Sequence, residues 1–307
     1  MSAEPVRQAE PDGRVTVAVI TRDRRAGVLR TLDALAALPE RPPVIVVDNS
    51  SDDATLQAVR HHPAAVRVLR PRENTGAVGR NLAVRQAGTP YVAFSDDDSW
   101  WAPGALRRAA DLLDGRPCLA GVTARIVVEP SGTEDPVVKE LRESPLIGPD
   151  FLPGPPLGSF LAAATVLRAD AFRGAGGFHP GLWLGGEEEL LATDLLRQGW
   201  WLSYVEDLTV HHQASVARNS TERRILGIRN TLWFTWLRRP LLPALRRTAG
   251  LMVTVPRDRA SLRAFALAAA GLPWVLRQRT PVPPEIERRL AALQRARKSS
   301  SARRYIG

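Results

Sequence analysis

Short β-branched runs alternate with helical apolar patterns through the first two-fifths of the chain, and this rhythm constrains the fold most. The strand candidates are Val15–Ile20, Val44–Val47, Val66–Leu69 and Tyr91–Phe94. The helix candidates are residues 28–38, Asp52–Arg60, Ala77–Ala87 and Gly104–Leu113. Strands that alternate with helices of this length are typical of βαβ units. The pattern predicts an α/β fold with a Rossmann-like, mostly parallel sheet flanked by helices.

The pattern changes after residue 118. A strand is predicted at Leu119–Val128, and the stretch Glu129–Pro156 is rich in Pro, Gly and charge and is expected to be a loop. Phe160–Leu167 is predicted to be a strand or a buried segment. A helix at Glu187–Arg197 and a strand at Trp200–Val205 follow.

The net charge of +10 belongs to the C-terminal part of the chain. Residues 241–307 contain 14 Lys and Arg and 3 acids, a net charge of +11 that leaves −1 for residues 1–240. The longest uncharged run there, Ala264–Leu276, has 13 residues, whereas a spanning helix needs about 20. Two explanations stay open: a helical segment lying on an anionic membrane, or ordinary packed helices with arginines in water. Aromatic residues are too few between the arginines for a nucleic-acid interface, so no nucleic acid is expected as a partner.

Composition excludes several classes of protein. A hydrophobic share of 44% and a charged share of 24% are those of a globular chain rather than a disordered or membrane-embedded one. Cys118 is the only cysteine, which excludes an intramolecular disulfide and a cysteine zinc cluster. Residues 1–14 are polar and have no apolar signal-peptide core, so we expect a flexible N-terminus and a cytoplasmic protein.

Three adjacent acids, Asp96, Asp97 and Asp98, follow the fourth predicted strand. Ligands of parallel sheets bind beyond the carboxyl ends of the strands. Neighbouring carboxylates repel one another unless a cation compensates, and hard oxygen ligands suit Mg²⁺ or Mn²⁺ with a substrate phosphate. The alternative is a solvated acidic turn ahead of the next helix.

Other polar groups follow other predicted strands. Asp48 ends the second strand and is either a turn-forming residue or a ligand contact. Glu187 and Glu188 begin a predicted helix after two glycines. The helix dipole alone favours acids at that position, and the functional alternative is a general base for a hydroxyl group. His211 and His212 follow the last predicted strand and are either ordinary histidines or metal ligands.

In order from about Val15 to His212, these segments resemble family 2 glycosyltransferases of the inverting GT-A class, which use nucleotide-diphosphate sugars. The segments that carry the resemblance are Thr21-Arg22-Asp23-Arg24, Val46–Asp53, Asn74–Asn81, Phe94–Asp98, Gly176-Gly177-Phe178 and Gly186-Glu187-Glu188. Three positions depart from the family pattern. Asp23 replaces the usual Asn, Ser50 a common Gly, and Glu188 stands where the family carries Asp.

The resemblance implies a GT-A domain over residues 15–240, with a nucleotide-binding half at 15–117 and an acceptor-binding half at 118–240. A basic, partly amphipathic helical extension at 241–307 would follow. The implied activity is metal-dependent transfer of a sugar to a hydroxyl acceptor with inversion. The basic segment, if it lies on an anionic membrane, predicts a lipid-linked or cell-envelope glycan at the inner face of that membrane as the acceptor.

The resemblance also implies roles for single residues. Asp48 would recognise the donor's base, and Asp96 its ribose or the metal. Asp98 would hold Mn²⁺ or Mg²⁺, with His211 or His212. Glu188, or Glu187 beside it, would be the base. The further nucleotide-sugar contacts implied are Thr21, Asp23, Arg24, Asn74, Arg80, Asn81 and Asp97.

Two other functions are alternatives to sugar transfer. One is a catalytically idle GT-A domain that acts as a scaffold or sugar-nucleotide sensor, with a tail that binds lipid or nucleic acid. The intact acidic triplet and the glutamates argue against it. The other is a sugar-nucleotide pyrophosphorylase, which would need a glycine-rich loop after the first strand, where Thr21-Arg22-Asp23-Arg24 stands instead.

Overall fold

The computed structural model describes residues 12–213 and 220–299, and its centre is one nine-stranded sheet. The strands are β1 (Val15–Thr21), β2 (Val44–Asp48), β3 (Val66–Leu69), β4 (Tyr91–Asp96), β5 (Ser99–Trp101), β6 (Leu119–Val128), β7 (Thr133–Glu134), β8 (Thr165–Arg168) and β9 (Trp201–His212). Their order is β3-β2-β1-β4-β8-β6-β9-β5, and β7 pairs with β6. The α/β class predicted from the sequence is confirmed.

Helices flank this sheet and continue beyond it. They are α1 (Arg25–Ala36), α2 (Thr55–Arg60), α3 (Arg80–Gln86), α4 (Ala105–Asp114), α5 (Val137–Arg142), α6 (Ala169–Gly174), α7 (Glu187–Arg197), α8 (Ser220–Arg238), α9 (Leu241–Thr254), α10 (Arg259–Ala270), α11 (Leu272–Arg277) and α12 (Pro284–Ser299). Short 3₁₀ turns lie at Gly76–Gly79 and Ala162–Ala164.

The first four strands form a parallel half of the sheet. β1 pairs in parallel with β2 and β4, and β3 joins β2. The register sets Thr21 beside Asp48 and Ile20 beside Asp96. The carboxyl ends of three strands therefore meet at one edge of the sheet, where ligands of such sheets bind.

The second half of the sheet mixes strand directions. β8 is antiparallel to β4 and β6, while β6 and β9 are parallel. β9 runs past the predicted end at Val205, because a bulge after that residue lets pairing with β6 resume at Thr209. The extended strand carries His211 and His212 alongside β5.

Two further predicted segments differ in the structure. The expected loop Glu129–Pro156 contains β7 and α5, because Val138 and Leu141 lie three residues apart and bury one face of a short helix. Phe160–Leu167 divides into the 3₁₀ turn and the start of β8.

The C-terminal helices pack on the rest of the molecule through a second apolar core. Leu182, Leu190 and Leu196 meet apolar side chains of α8, α10, α11 and α12. The basic segment that begins at residue 241 is therefore helical, as predicted. Residues 1–11 of the expected flexible N-terminus and residues 300–307 of the extension lie outside the described residues, and the domain boundaries stay predictions. No helix within 12–213 and 220–299 has the length and apolar character that crossing a membrane requires.

Gly271 lets two helices approach Trp233, and this contact is testable. A Cβ at Gly271 would lie 2.3 Å from Trp233 Cζ2, whereas a Cβ at Gly250 in α9 would meet nothing within 4 Å. We expect Gly271→Ala to destabilise the protein by about 1–3 kcal/mol through overpacking. The matched variant Gly250→Ala should stabilise it by about 0.5–1 kcal/mol through helix propensity. Urea unfolding measures both, and equal effects of the same sign would contradict this packing.

Candidate active site

The acidic turn between β4 and β5 is held by groups from the end of β1. The Thr21 hydroxyl donates to Asp97 Oδ2 at 2.9 Å. The Arg24 guanidinium donates to Asp97 Oδ1 at 3.1 Å and to Asp98 Oδ2 at 3.0 Å. Both carboxylates are buried. Burial raises the pKa of Asp97 to about 7; Arg24 opposes the rise, and the neighbouring Asp96 and Asp98 add to it.

The structure separates the two histidines. His212 Nε2 lies 3.6 Å from Asp98 Oδ1. His211 faces the other way, as successive strand residues do: its Nδ1 lies 2.7 Å from Glu129 Oε1, and its ring stacks on Trp100. Only His212 of this pair is placed beside the acidic turn.

A buried arginine pairs with the acidic turn, and its charge also acts on the start of α7. The Arg80 guanidinium donates to Asp96 Oδ1. Glu187 is buried at the start of α7, where the charges of Arg80 and Asp96 both act on its pKa. Burial raises that pKa, and Arg80 opposes the rise. Arg80 is therefore paired with Asp96 in this structure, and its contact with the nucleotide sugar stays a prediction.

The predicted metal ligands Asp96, Asp98, His211 and His212 do not form one cluster. Among the described residues, no three His, Cys, Asp or Glu side chains gather into a metal-binding group. Asp96 turns to Arg80 and His211 to Glu129. Asp98 and His212 remain together, and this oxygen-and-nitrogen pair fits a divalent cation that takes its other ligands from substrate phosphates and water.

Glu188 opens onto a cavity of about 600 Å³. Its Oε1 accepts the Ala162 N–H at 2.6 Å. Burial raises the pKa of Glu188, and the adjacent Glu187 raises it further. Glu187 Oε2 is buried with no hydrogen-bond partner among the described residues. A carboxylate with a raised pKa beside a cavity is suited to accept a proton.

Side chains from five parts of the chain line this cavity. Besides Glu188 and Glu189, the lining includes Lys139, Leu157, Phe160, Asn230, Phe234 and Leu293. Polar groups and apolar walls together suit a ligand that has both a hydroxyl-bearing part and an apolar part.

Asn230, a residue that the motif search missed, holds the turn before α7. Its side-chain amide donates to the carbonyl oxygens of Leu182 at 2.8 Å and Leu184 at 2.9 Å, and to that of Gly185. Gly185 and Gly186 both have positive φ, which glycine adopts without strain. A buried amide within an apolar stretch of α8 was the available signal, since buried polar groups need partners.

Asp48 lies in a closed turn. It is fully buried and accepts the Ser51 N–H at 3.2 Å as well as the Ser51 hydroxyl. Arg70 Nε lies 3.6 Å from it. Asp23, at φ 51°, accepts the Asp52 N–H at 2.7 Å. The turns after β1 and β2 are thereby joined at the edge of the sheet.

Asn74 and Asn81 also bind backbone. The Asn74 side chain accepts the Gly76 N–H at 2.9 Å. Asn81 donates to the Phe178 carbonyl at 2.8 Å and accepts the Phe178 N–H at 3.0 Å. The indole N–H of Trp183 donates to the Asn74 carbonyl oxygen and connects the loop before α7 to the same region. These asparagines fix loops around the site, and both are engaged within the protein.

Comparison with known proteins agrees with this architecture. The model of glycosyl transferase family 2 matches residues 16–173, just over half of the chain. A putative teichuronic acid biosynthesis glycosyltransferase of Bacillus subtilis, TuaG, is 33% identical over 94 residues. That match covers 29% of this chain and only 37% of TuaG.

Three solved structures resemble the whole chain. The mannosyltransferase PcManGT of Pyrobaculum calidifontis, in complex with GDP-Man and Mn²⁺, has a TM-score of 0.58 at 20% identity. This match covers 96% of this chain and 78% of PcManGT. GalNAc-T7 with UDP, GalNAc and Mn²⁺ has a TM-score of 0.60 at 13% identity. This match covers 90% of this chain and 59% of GalNAc-T7. TarS of S. aureus has a TM-score of 0.54 at 16% identity. This match covers 95% of this chain and 54% of TarS. These likenesses confirm the predicted GT-A fold.

The raised pKa of Glu188 gives its charge a measurable effect on stability. The folded state holds this proton more tightly than the unfolded chain, whose glutamate pKa is about 4.3. Wild-type stability should therefore fall as pH rises from about 4.3 toward the raised pKa. Glu188→Gln has no such proton to lose, so its Tm should exceed that of the wild type by more at neutral pH than in acid.

Glu285→Gln is the matched control for this measurement, because it changes an exposed carboxyl in α12. Its Tm relative to the wild type should vary little with pH. A Tm difference for Glu188→Gln that stays constant from acid to neutral pH would contradict burial of its charge.

Proposed function

This chain belongs to glycosyl transferase family 2, and we propose that it transfers a sugar from a nucleotide-diphosphate donor to a hydroxyl acceptor with inversion. One observation carries the proposal: the buried Arg80 pairs with the partly exposed Asp96 of the acidic turn. The charges of this pair act on the glutamates at the start of α7, of which Glu188 lines the cavity. A donor at the turn and an acceptor in the cavity would thus meet near these charged groups.

The donor would bind at the carboxyl ends of β1, β2 and β4. Asp48 would meet the base, Asp96 the ribose, and Arg24 the diphosphate. Asp98 and His212 would hold Mn²⁺ or Mg²⁺, which offsets charge on the departing diphosphate when bound. The solved relatives with GDP-Man or UDP and Mn²⁺ support this donor class and metal.

Glu188 would take the proton from the acceptor hydroxyl. The acceptor oxygen forms a bond to the anomeric carbon as the bond from that carbon to the diphosphate oxygen breaks. The bonding electron pair leaves with the diphosphate, and the proton ends on the carboxylate. One base and attack from the opposite face suffice, so no covalent intermediate is required. The transition state has oxocarbenium character.

A cell-envelope or lipid-linked glycan is the proposed acceptor, and the basic helices would contact the inner face of the membrane. The name of TuaG, a putative teichuronic acid biosynthesis enzyme, supports an envelope glycan. The mixed polar and apolar lining of the cavity supports an acceptor with an apolar part.

Nucleotide binding tests the donor half of the proposal. We expect calorimetric titration with UDP, dTDP, GDP and CDP to show binding of one nucleotide that depends on Mn²⁺. Asp98→Ala should abolish this dependence, while Asp207→Ala, at an exposed aspartate on the β9 bulge, should keep it. No binding of any of the four with or without Mn²⁺ would favour the idle-domain alternative.

Turnover tests the base. With the donor identified, Glu188→Gln should lower kcat by about 10²–10⁴-fold, the usual contribution of a general base, and leave nucleotide affinity unchanged. Glu187→Gln and Glu189→Gln are the matched comparisons on the same helix. Normal turnover by Glu188→Gln alongside loss in Glu187→Gln would transfer the role to Glu187. Nucleotide release with an envelope lipid fraction as acceptor is the readout.

A further inference from the structure

The outward face of α9 is apolar. Leu242, Leu245, Met252 and Val253 are 55%, 48%, 61% and 76% exposed, whereas Ala244 is buried. Their spacing of three, seven and one residues sets them along one side of the helix. On the opposite side of α9, Ala244 is buried and Leu251 packs against the second core. The exposed apolar stripe is therefore not explained by the packing of the described residues.

The next helix also exposes a large apolar side chain. Leu262 of α10 is 72% exposed, while Ala264 and Ala268 on the opposite side lie in the second core. The exposed apolar side chains of the two helices make up the α9–α10 surface: Leu242, Leu245, Met252, Val253 and Leu262.

Positive charge is concentrated in the segment that carries these side chains. Residues 241–277 contain six arginines and one acid, Asp258. The exposed arginines are Arg246, Arg257, Arg259, Arg263 and Arg277. The Asp258 carboxylate is already engaged, since it accepts the Ser261 N–H at 2.8 Å and pairs with Arg224. Exposed apolar side chains flanked by arginines are typical of helices that lie on anionic lipid.

We propose that the α9–α10 surface docks on an anionic lipid bilayer, with its apolar side chains between the headgroups and its arginines at lipid phosphates. A symmetric dimer through the same face would set the arginines of two copies against each other, so charge favours the bilayer over a second copy. The 14 residues of α9 are too few to span a membrane, for which about 20 are needed.

α12 connects the docking helix α9 to the wall of the cavity, so docking would hold the cavity near the bilayer. Arg247 of α9 donates to Gln294 of α12 at 3.1 Å, and Leu293 and Ala296 on either side of Gln294 line the cavity. This inference rests on the proposed function for its acceptor and names the surface that presents a lipid-linked one.

Vesicle flotation of the full chain tests the docking surface. The wild type should float with vesicles of equal parts phosphatidylglycerol and phosphatidylcholine, and not with phosphatidylcholine alone. Leu245→Gln/Met252→Gln should lose flotation, while Ile147→Gln, at an 89% exposed side chain in a loop, should retain it. Glutamine preserves helix propensity, and unchanged Tm checks the fold.

A charge-matched pair separates lipid attraction from net charge. Arg257→Gln/Arg263→Gln should weaken vesicle binding by about tenfold or more, whereas Arg60→Gln/Arg85→Gln, exposed arginines of the first half, should not. Equal weakening by both pairs would overturn the assignment to this surface. A wild-type dimer that Leu245→Gln/Met252→Gln makes monomeric, with no vesicle binding, would overturn it in favour of self-association.

Nucleotide titration of the same preparations keeps the two proposals apart. Wild type that binds a nucleotide with Mn²⁺ and does not float overturns the docking surface and leaves the transferase proposal standing. Wild type that floats but binds no nucleotide overturns the transferase proposal instead, and the docking surface stands without its acceptor.

Discussion

Charge compensation at the end of β4 is the constraint on which the rest of the site depends. Three successive carboxylates could not occupy a largely buried turn without positive charge nearby. Arg24 reaches Asp97 and Asp98 from the first turn after β1, and Arg80 reaches Asp96 from the start of α3. Contacts with the acidic turn thus bring the segment after β1 and the start of α3 together in one site.

The second half of the site depends on helices far along the chain. The segment that matches the family ends at residue 173, yet the turn that delivers Glu187 and Glu188 is held by Asn230 in α8. α12 closes one wall of the cavity through Leu293. The helices after residue 219 therefore hold and line part of the candidate active site.

Local pattern predicted the parallel half of the sheet well because each strand and helix there has its own apolar period. It failed between Glu129 and Pro156, where α5 is too short for a clear period and is stabilised by burial of Val138 and Leu141. It also ended β9 early, because Glu206 and Asp207 look like a turn in sequence but form a bulge within one strand. The motifs around the acidic turn and the glutamates identified the family, and the catalytic and binding roles of these residues stay predictions.

By itself, the sequence determined the strand–helix rhythm, the acidic turn after β4, the family and the basic C-terminal segment, because these depend on residues close together in the chain. Only the tertiary structure decided which side chains meet. Alternation along β9 places His212, and not His211, beside Asp98. Packing pairs the buried Arg80 with Asp96, and it brings Asn230 to a turn 45 residues away in the chain. Such contacts depend on long-range packing of elements, and on which face each one buries, which no local pattern contains.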